Sequence, residues 1–275
     1  MSRNFELLQN IGKDQDYFQP DRVLTEAVPR EASGPLSEQM AAALEAATSP
    51  APPPAALSNE PLQFAMESSQ LTELSKLVQR VFLMPGGEYN HTVVFTGSDS
   101  GDGCSWICAR VGELLASQVT GTVCLVDANL QSPTLHEQFG VPNHHGLADA
   151  LRMSGSIRGY VSQLARRNLA LVSCGSDLRE GRSLVTSDRM RARMLELRSE
   201  FDYVLIDCPA VGESNEAVSL GTIADGVVLV LKANATRKDR ARSAVNDLQA
   251  SKVKILGAVL NQRTFPIPDS IYSKL

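Results

Sequence analysis

No stretch of the chain reaches the roughly 18 to 20 consecutive apolar residues that a membrane-crossing helix needs. The opening residues, Met1-Ser-Arg-Asn-Phe-Glu, lack the apolar segment of a secretory leader. These absences set aside direct membrane insertion and lead us to expect a soluble, cytoplasmic protein, recruited to the inner membrane face only through a partner. Cysteine is also sparse. The five, at 104, 108, 124, 174 and 208, form neither a C-x-x-C pair nor a dense framework, which excludes a disulfide-stapled fold and fits a reducing compartment. Positive charge is not in surplus: 31 acidic against 26 basic residues leave a net charge of −5, so non-specific nucleic-acid binding is not expected. His144 and His145 have no further ligand residues beside them, and zinc is not expected.

What is present divides in two. Residues 30–62 are rich in Ala, Pro, Ser and Glu and include Ser49-Pro-Ala-Pro-Pro-Pro-Ala55, a composition that cannot build a packed core. Ahead of it, Phe5, Leu7, Leu8 and Ile11 can form a short amphipathic helix, either a docking peptide or a frayed terminus. We therefore read 1–66 as a short helix and linker, and 67–275 as the folded domain. With 43% hydrophobic residues, the chain can bury one substantial core.

From Ser69 onward short apolar strands alternate with helices. Strands are expected near 92–96, 121–127, 169–173, 203–207, 226–232 and 253–260. Helices are expected near 70–83, 104–118, 146–153, 185–200 and 236–250. That alternation is the signature of an α/β fold, a mainly parallel sheet flanked by helices in three layers. Parallel pairing needs the helical crossovers, and ligands of such sheets sit beyond the carboxyl ends of the strands.

Between the first strand, His91-Thr-Val-Val-Phe-Thr96, and the following helix lies Gly97-Ser-Asp-Ser-Gly-Asp-Gly-Cys-Ser105. Ile107, Val111, Leu114 and Leu115 recur at i, i+4, i+7 and i+8, the buried stripe of a helix starting near Cys104. A strand, a glycine loop and a helix in that order make a phosphate cradle, in which backbone N–H groups converge on an anion at a helix N-terminus. A P-loop adds a lysine that neutralises the β/γ charge and a Ser or Thr that holds Mg²⁺. Here the serine is present as Ser105 and the lysine position is Cys104. The plainer alternative is a glycine-rich turn before an ordinary helix.

Two more strands end in aspartate, Val123-Cys-Leu-Val-Asp127 and Tyr203-Val-Leu-Ile-Asp207. Each faces the mouth of the sheet, where Asp207 can hold Mg²⁺ through a water and Asp127 can orient or deprotonate an incoming hydroxyl. The alternative for each is an aspartate capping the next turn.

With those residues in view, 70–275 resembles the cytoplasmic domain of bacterial tyrosine kinases of capsule and exopolysaccharide export, within the ParA/MinD-like P-loop class. The family's phosphate loop, approximately S-x-x-P-G-E-G-K-S, corresponds to Gly97–Ser105. Its middle motif, D-x-D-x-R-x-P-x-L-H, corresponds to Asp127-Ala-Asn-Leu-Gln-Ser-Pro-Thr-Leu-His136. Its third, Y-D-x-V-I-I-D-x-P-P, corresponds to Phe201-Asp-Tyr-Val-Leu-Ile-Asp-Cys-Pro-Ala210. The resemblance implies ATP or ADP with Mg²⁺ held by Ser98, Gly101, Asp102, Gly103, Cys104 and Ser105, metal contacts from Ser105 and Asp207, and an adenine contact from Asn261. It also implies a membrane polysaccharide co-polymerase or a related kinase as partner, and leaves self-association open.

The departures fall on the chemistry. Lysine is replaced by Cys104, the second aspartate of the middle motif by Asn129 and its arginine by Gln131, while Asp99 and Asp102 add negative charge to the loop. Losing one transition-state cation costs phosphoryl transfer on the order of 10³-fold or more; backbone cradle, helix dipole and Ser105 remain for weak binding. The tail 265–275 carries a single tyrosine, Tyr272, instead of the family's cluster. Glu73, Lys76 and Arg80 share a helical face that loosely matches the family's oligomerisation helix or is simply solvated. Cys104, at a helix N-terminus, is expected either to have a lowered thiol pKa or to pack as a small residue.

Three functions follow. The first is a degenerate tyrosine-kinase-like regulator of polysaccharide synthesis or export, with weak or no phosphotransfer. The second is an active tyrosine autokinase in which another cation, such as Arg237 or a neighbouring subunit's residue, replaces the lysine. The third is a ParA/MinD-like positioning ATPase.

Overall fold

The computed structural model describes residues 68–84, 89–176 and 183–263. The expected N-terminal helix and linker, and Tyr272, lie outside them. The chain runs through α1 (Ser68–Phe82), β1 (Thr92–Gly97), α2 (Cys104–Gln118), β2 (Val123–Asp127), α3 (Leu135–Phe139) and α4 (Leu147–Arg152). A 3₁₀ turn (Ile157–Tyr160), β3 (Ser162–Gln163), β4 (Leu169–Val172), α5 (Asp188–Glu200) and β5 (Tyr203–Asp207) follow. The described part closes with α6 (Glu216–Gly221), β6 (Gly226–Lys232), α7 (Lys238–Ala250) and β7 (Ile255–Asn261).

The strands form one sheet in the order β3-β4-β2-β5-β1-β6-β7. Every neighbouring pair is parallel except β3 with β4. β1 and β2 are buried along their whole length, as β-branched, apolar strands covered on both faces should be. One face packs under α1 and α2 through Leu74, Val78, Phe82, Ile107, Val111 and Leu115. The other carries α4 to α7, with Leu147, Leu151, Met190, Met194, Leu220 and Leu248 against it. The three-layer expectation therefore holds. Leu114, expected in the buried stripe of α2, is only partly buried, while Ile107, Val111 and Leu115 are fully so.

Four pieces were not foreseen: α3, α6, the 3₁₀ turn and the two-residue β3. Each is too short for a hydrophobic period to repeat. The close approach of α4 to the turn after β4 demands a glycine. A Cβ on Gly146 would stand 2.1 Å from the Ser173 carbonyl and 2.4 Å from the Gly175 nitrogen.

The topology gathers three carboxyl ends. β1 and β2 flank β5, and the register sets Asp127 directly beside Asp207 and Phe95 on Asp207's other side. Gly97, Asp127 and Asp207 thus open on one edge of the sheet.

Candidate functional site

The loop leaving β1 is shaped by Gly101 and Gly103, both at φ +83°, a region open to glycine at no steric cost. It delivers the chain to the N-terminus of the 15-residue α2. The backbone N–H groups from Gly101 to Ser105 donate to no other described residue, so they are free for an anion at a helix N-terminus. The cradle fits a phosphate.

Asp102 keeps its backbone N–H in the cradle, while its side chain is turned into the loop. Its Oδ2 accepts from the Ser98 N–H (3.0 Å), the Ser98 hydroxyl (2.9 Å) and the Asp99 N–H (3.0 Å). Its Oδ1 accepts from the Thr236 hydroxyl at 3.0 Å. A buried carboxylate with four donors is a brace, and its charge is spent inside the loop. Ser98 belongs to the same brace. Asn261 is also occupied: its Nδ2 donates to the Asp102 carbonyl (2.9 Å) and its Oδ1 accepts from the Gln262 N–H (2.9 Å). Those bonds clamp the loop to the end of β7, and a Cβ on Gly103 would meet the Asn261 amide at 2.3 Å.

Asp127 and Asp207 are completely buried side by side. Asp127 accepts from the N–H groups of Asn129 and Leu135, each at 3.2 Å, which makes it the anchor of the turn into α3. Its carboxyl is nevertheless pushed well above the usual range, first by burial and then by the Asp207 charge. Neither oxygen of Asp207 receives a well-formed hydrogen bond among the described residues. Burial raises its pKa, and the Ser105 hydroxyl and Cys104 thiol pull it part of the way back. An orphaned buried carboxylate next to a serine hydroxyl is a fitting half-shell for a hard cation that completes its coordination with water and phosphate. Ser105 and Asp207 are the residues that would hold Mg²⁺, and the ion would supply charge to balance phosphate oxygens.

At Cys104 the expectation of a lowered pKa is overturned. The residue keeps some exposed surface, yet desolvation of its thiol and the Asp207 and Cys108 groups raise the pKa well above the ordinary value. The helix dipole is outweighed, and the thiol is a neutral filler.

The cleft above these groups has a volume of about 340 Å³. Loop residues 99–105, Trp106, Asn129, Gln131, Thr134, Gln138 and the turn Cys208–Ala210 line it, with Glu213. Among these described lining residues there is no lysine or arginine. Arg237, the expected substitute, is exposed at the start of α7. On α1, Lys76 pairs with Glu73 at 2.7 Å on an exposed face. The motifs miss Thr236, Trp106 and Arg240. Trp106 is Ser105's neighbour, whereas Thr236 and Arg240 come from beyond β6, Arg240 within the basic run Arg237–Arg242 that opens α7.

A glycine loop at a helix N-terminus and two acid-ended strands on a mostly parallel sheet define a P-loop NTPase-like fold. The model of the family described as "Cellulose biosynthesis protein BcsQ" matches residues 91–250, and the chain belongs to that family. It is 31% identical over 170 residues to the tyrosine-protein kinase YwqD of Bacillus subtilis (strain 168), covering 62% of this chain and 71% of that protein. Against the putative tyrosine-protein kinase EpsB of Ralstonia nicotianae it is 30% identical over 62% of this chain, but spans only 23% of that longer protein. The fold is shared with the kinase domain of the Escherichia coli tyrosine kinase ETK (TM-score 0.63, 20% identity, 73% of this chain and 78% of that one). A ParA-family ATPase from Chlorobium tepidum TLS shares it too (TM-score 0.55, 20% identity, 67% and 78% covered).

Proposed function

We propose that the chain is a nucleotide-responsive regulator of polysaccharide biosynthesis or export, binding ATP or ADP with Mg²⁺ weakly and transferring phosphate slowly or not at all. The observation that carries this reading is a cleft with an open backbone cradle and a Ser105–Asp207 metal half-shell but no lysine or arginine among its described lining residues. Positioning survives in such a site, while the electrostatic part of phosphoryl-transfer catalysis, worth about 10³-fold or more per cation, does not. The family description supports the polysaccharide setting. Its natural partner is a membrane polysaccharide co-polymerase or a related kinase on the cytoplasmic face, with 1–66 as tether and 67–275 as the working domain.

Calorimetric titration of ATP and ADP, with and without Mg²⁺, into the full chain and its Cys104→Lys variant tests the reading. We expect Cys104→Lys to tighten ATP binding by at least about tenfold, the scale of one charge-assisted contact. Wild type should transfer no radiolabel to protein. Robust turnover that disappears in Asp207→Ala would overturn the regulator reading in favour of an autokinase, the activity that the relatives' names support.

A further inference from the structure

One ion pair joins the loop to a helix that none of the sequence motifs includes. Arg240, in the first turn of α7, places Nε 3.9 Å from Oδ1 of Asp99. Its Nη1 lies 3.9 Å from where a Cβ on Gly212 would stand, and that same position is 2.9 Å from the Ser98 carbonyl. The glycine loop, the turn after β5 and the start of α7 therefore meet at the rim of the cleft. The mouth there carries Asp99 and Glu213, with the Arg240 guanidinium beside Asp99. Arg237, Lys238 and Arg242 are exposed and make no ion pair or side-chain hydrogen bond with the loop among the described residues.

The pair is loosely held. Arg240 is 62% exposed and Asp99 39%, and exposed pairs at such a distance contribute little. Redirecting the side chain therefore costs little. A guanidinium is also the group whose planar fork matches phosphate oxygens, and it stays charged at any working pH.

We propose that Arg240 is the phosphate-neutralising cation of this cleft, exchanging its Asp99 partner for the anionic oxygens of a bound nucleotide and standing in for the lysine that Cys104 does not supply. Asp99 is then a holding counter-ion that keeps the guanidinium at the rim and competes with the ligand for it. This rests on the nucleotide-binding reading above and adds the residue that makes such binding electrostatically feasible.

The test titrates Mg²⁺-ATP into the full chain by calorimetry, with Trp106 emission as a second readout. Wild type, Arg240→Ala, Asp99→Asn, the double variant and Arg237→Ala are compared. Arg240→Ala should weaken ATP about tenfold or more, Asp99→Asn should tighten it a few-fold only while Arg240 is present, and Arg237→Ala should leave it unchanged. In a Cys104→Lys background the Arg240→Ala loss should shrink, because the two cations serve the same charge. The melting temperature without ligand should not move in Arg240→Ala; a fall there that tracks the affinity loss would make the role structural and overturn the proposal. Measurable ATP binding indifferent to Arg240→Ala would overturn Arg240 alone, whereas no binding by wild type would overturn the nucleotide reading and this inference with it.

Discussion

At the scale of single residues, Asp102 and Cys104 show how a motif position can keep its place and change its work. An acid at position 102 is legible as negative charge in a phosphate loop. That it is a brace is not, because one of its four donors, Thr236, lies 134 residues away. The arrangement makes a specific prediction. In Asp102→Asn the amide must turn its NH₂ toward donors or leave the Ser98 and Asp99 N–H groups without a full acceptor. Losing satisfied buried hydrogen bonds of this kind costs about 1–3 kcal/mol, read as a lower urea midpoint with unchanged m-value. Nucleotide affinity should fall with it, since the free N–H groups of Gly101 to Ser105 are aimed by the braced loop. At Cys104 the packing alternative holds over the lowered thiol for a related reason. Position at a helix N-terminus is visible in sequence, but the burial and the neighbouring Asp207 that raise its thiol are properties of the assembled sheet.

At the scale of elements, β-branched runs and helical periods were strong enough to place six parallel strands and five helices, because each spans enough residues for its period to repeat. The two acid-ended strands were legible as well, and the register sets Asp127 directly against Asp207. The short connectors were not legible, and their stability comes from tertiary partners. The foreseen but short α4 leans on tertiary partners in the same way at its C-terminus. Arg193 of α5, 8% exposed, donates to the carbonyls of Ala150 (2.8 Å), Met153 (2.8 Å) and Gly155 (2.5 Å) and to Glu196. One guanidinium thus satisfies helix-end carbonyls that a six-residue helix cannot satisfy itself. Arg193→Met keeps the bulk and removes the donors. It should destabilise by about 2–4 kcal/mol, a cost set by the orphaned carbonyls, measurable by denaturant unfolding; Glu196 keeps the Ile157 N–H at 3.0 Å. Arg193→Lys should recover only part, since an ammonium cannot span three acceptors in the fixed fork.

At the scale of the whole molecule, the central sheet holds two carboxyl groups next to each other in its interior, and that arrangement links stability to pH. In the unfolded chain both titrate near ~4. In the fold burial raises both, with the Asp207 charge adding to the rise at Asp127, so the native state binds more protons over the interval between. Stability from this pair is fully present below the unfolded pKa and is lost as the pH rises through the raised folded range. The unliganded protein should therefore melt at progressively lower temperature as the pH goes from about 4 to about 8. Asp207→Asn, which leaves one carboxyl with no charged neighbour to oppose it, should flatten that dependence and raise the melting temperature at pH 8 by a few degrees, about 2–4 °C for each kcal/mol in a domain of this size. A divalent cation held between Ser105 and Asp207 would offset the same repulsion. Mg²⁺ should then stabilise wild type more at pH 8 than at pH 5, and Asp207→Asn at neither, which differential scanning calorimetry resolves. A melting temperature that rises with pH in wild type, or a Mg²⁺ effect that survives Asp207→Asn, would mean that the paired carboxylates are not what ties this fold to its ligand.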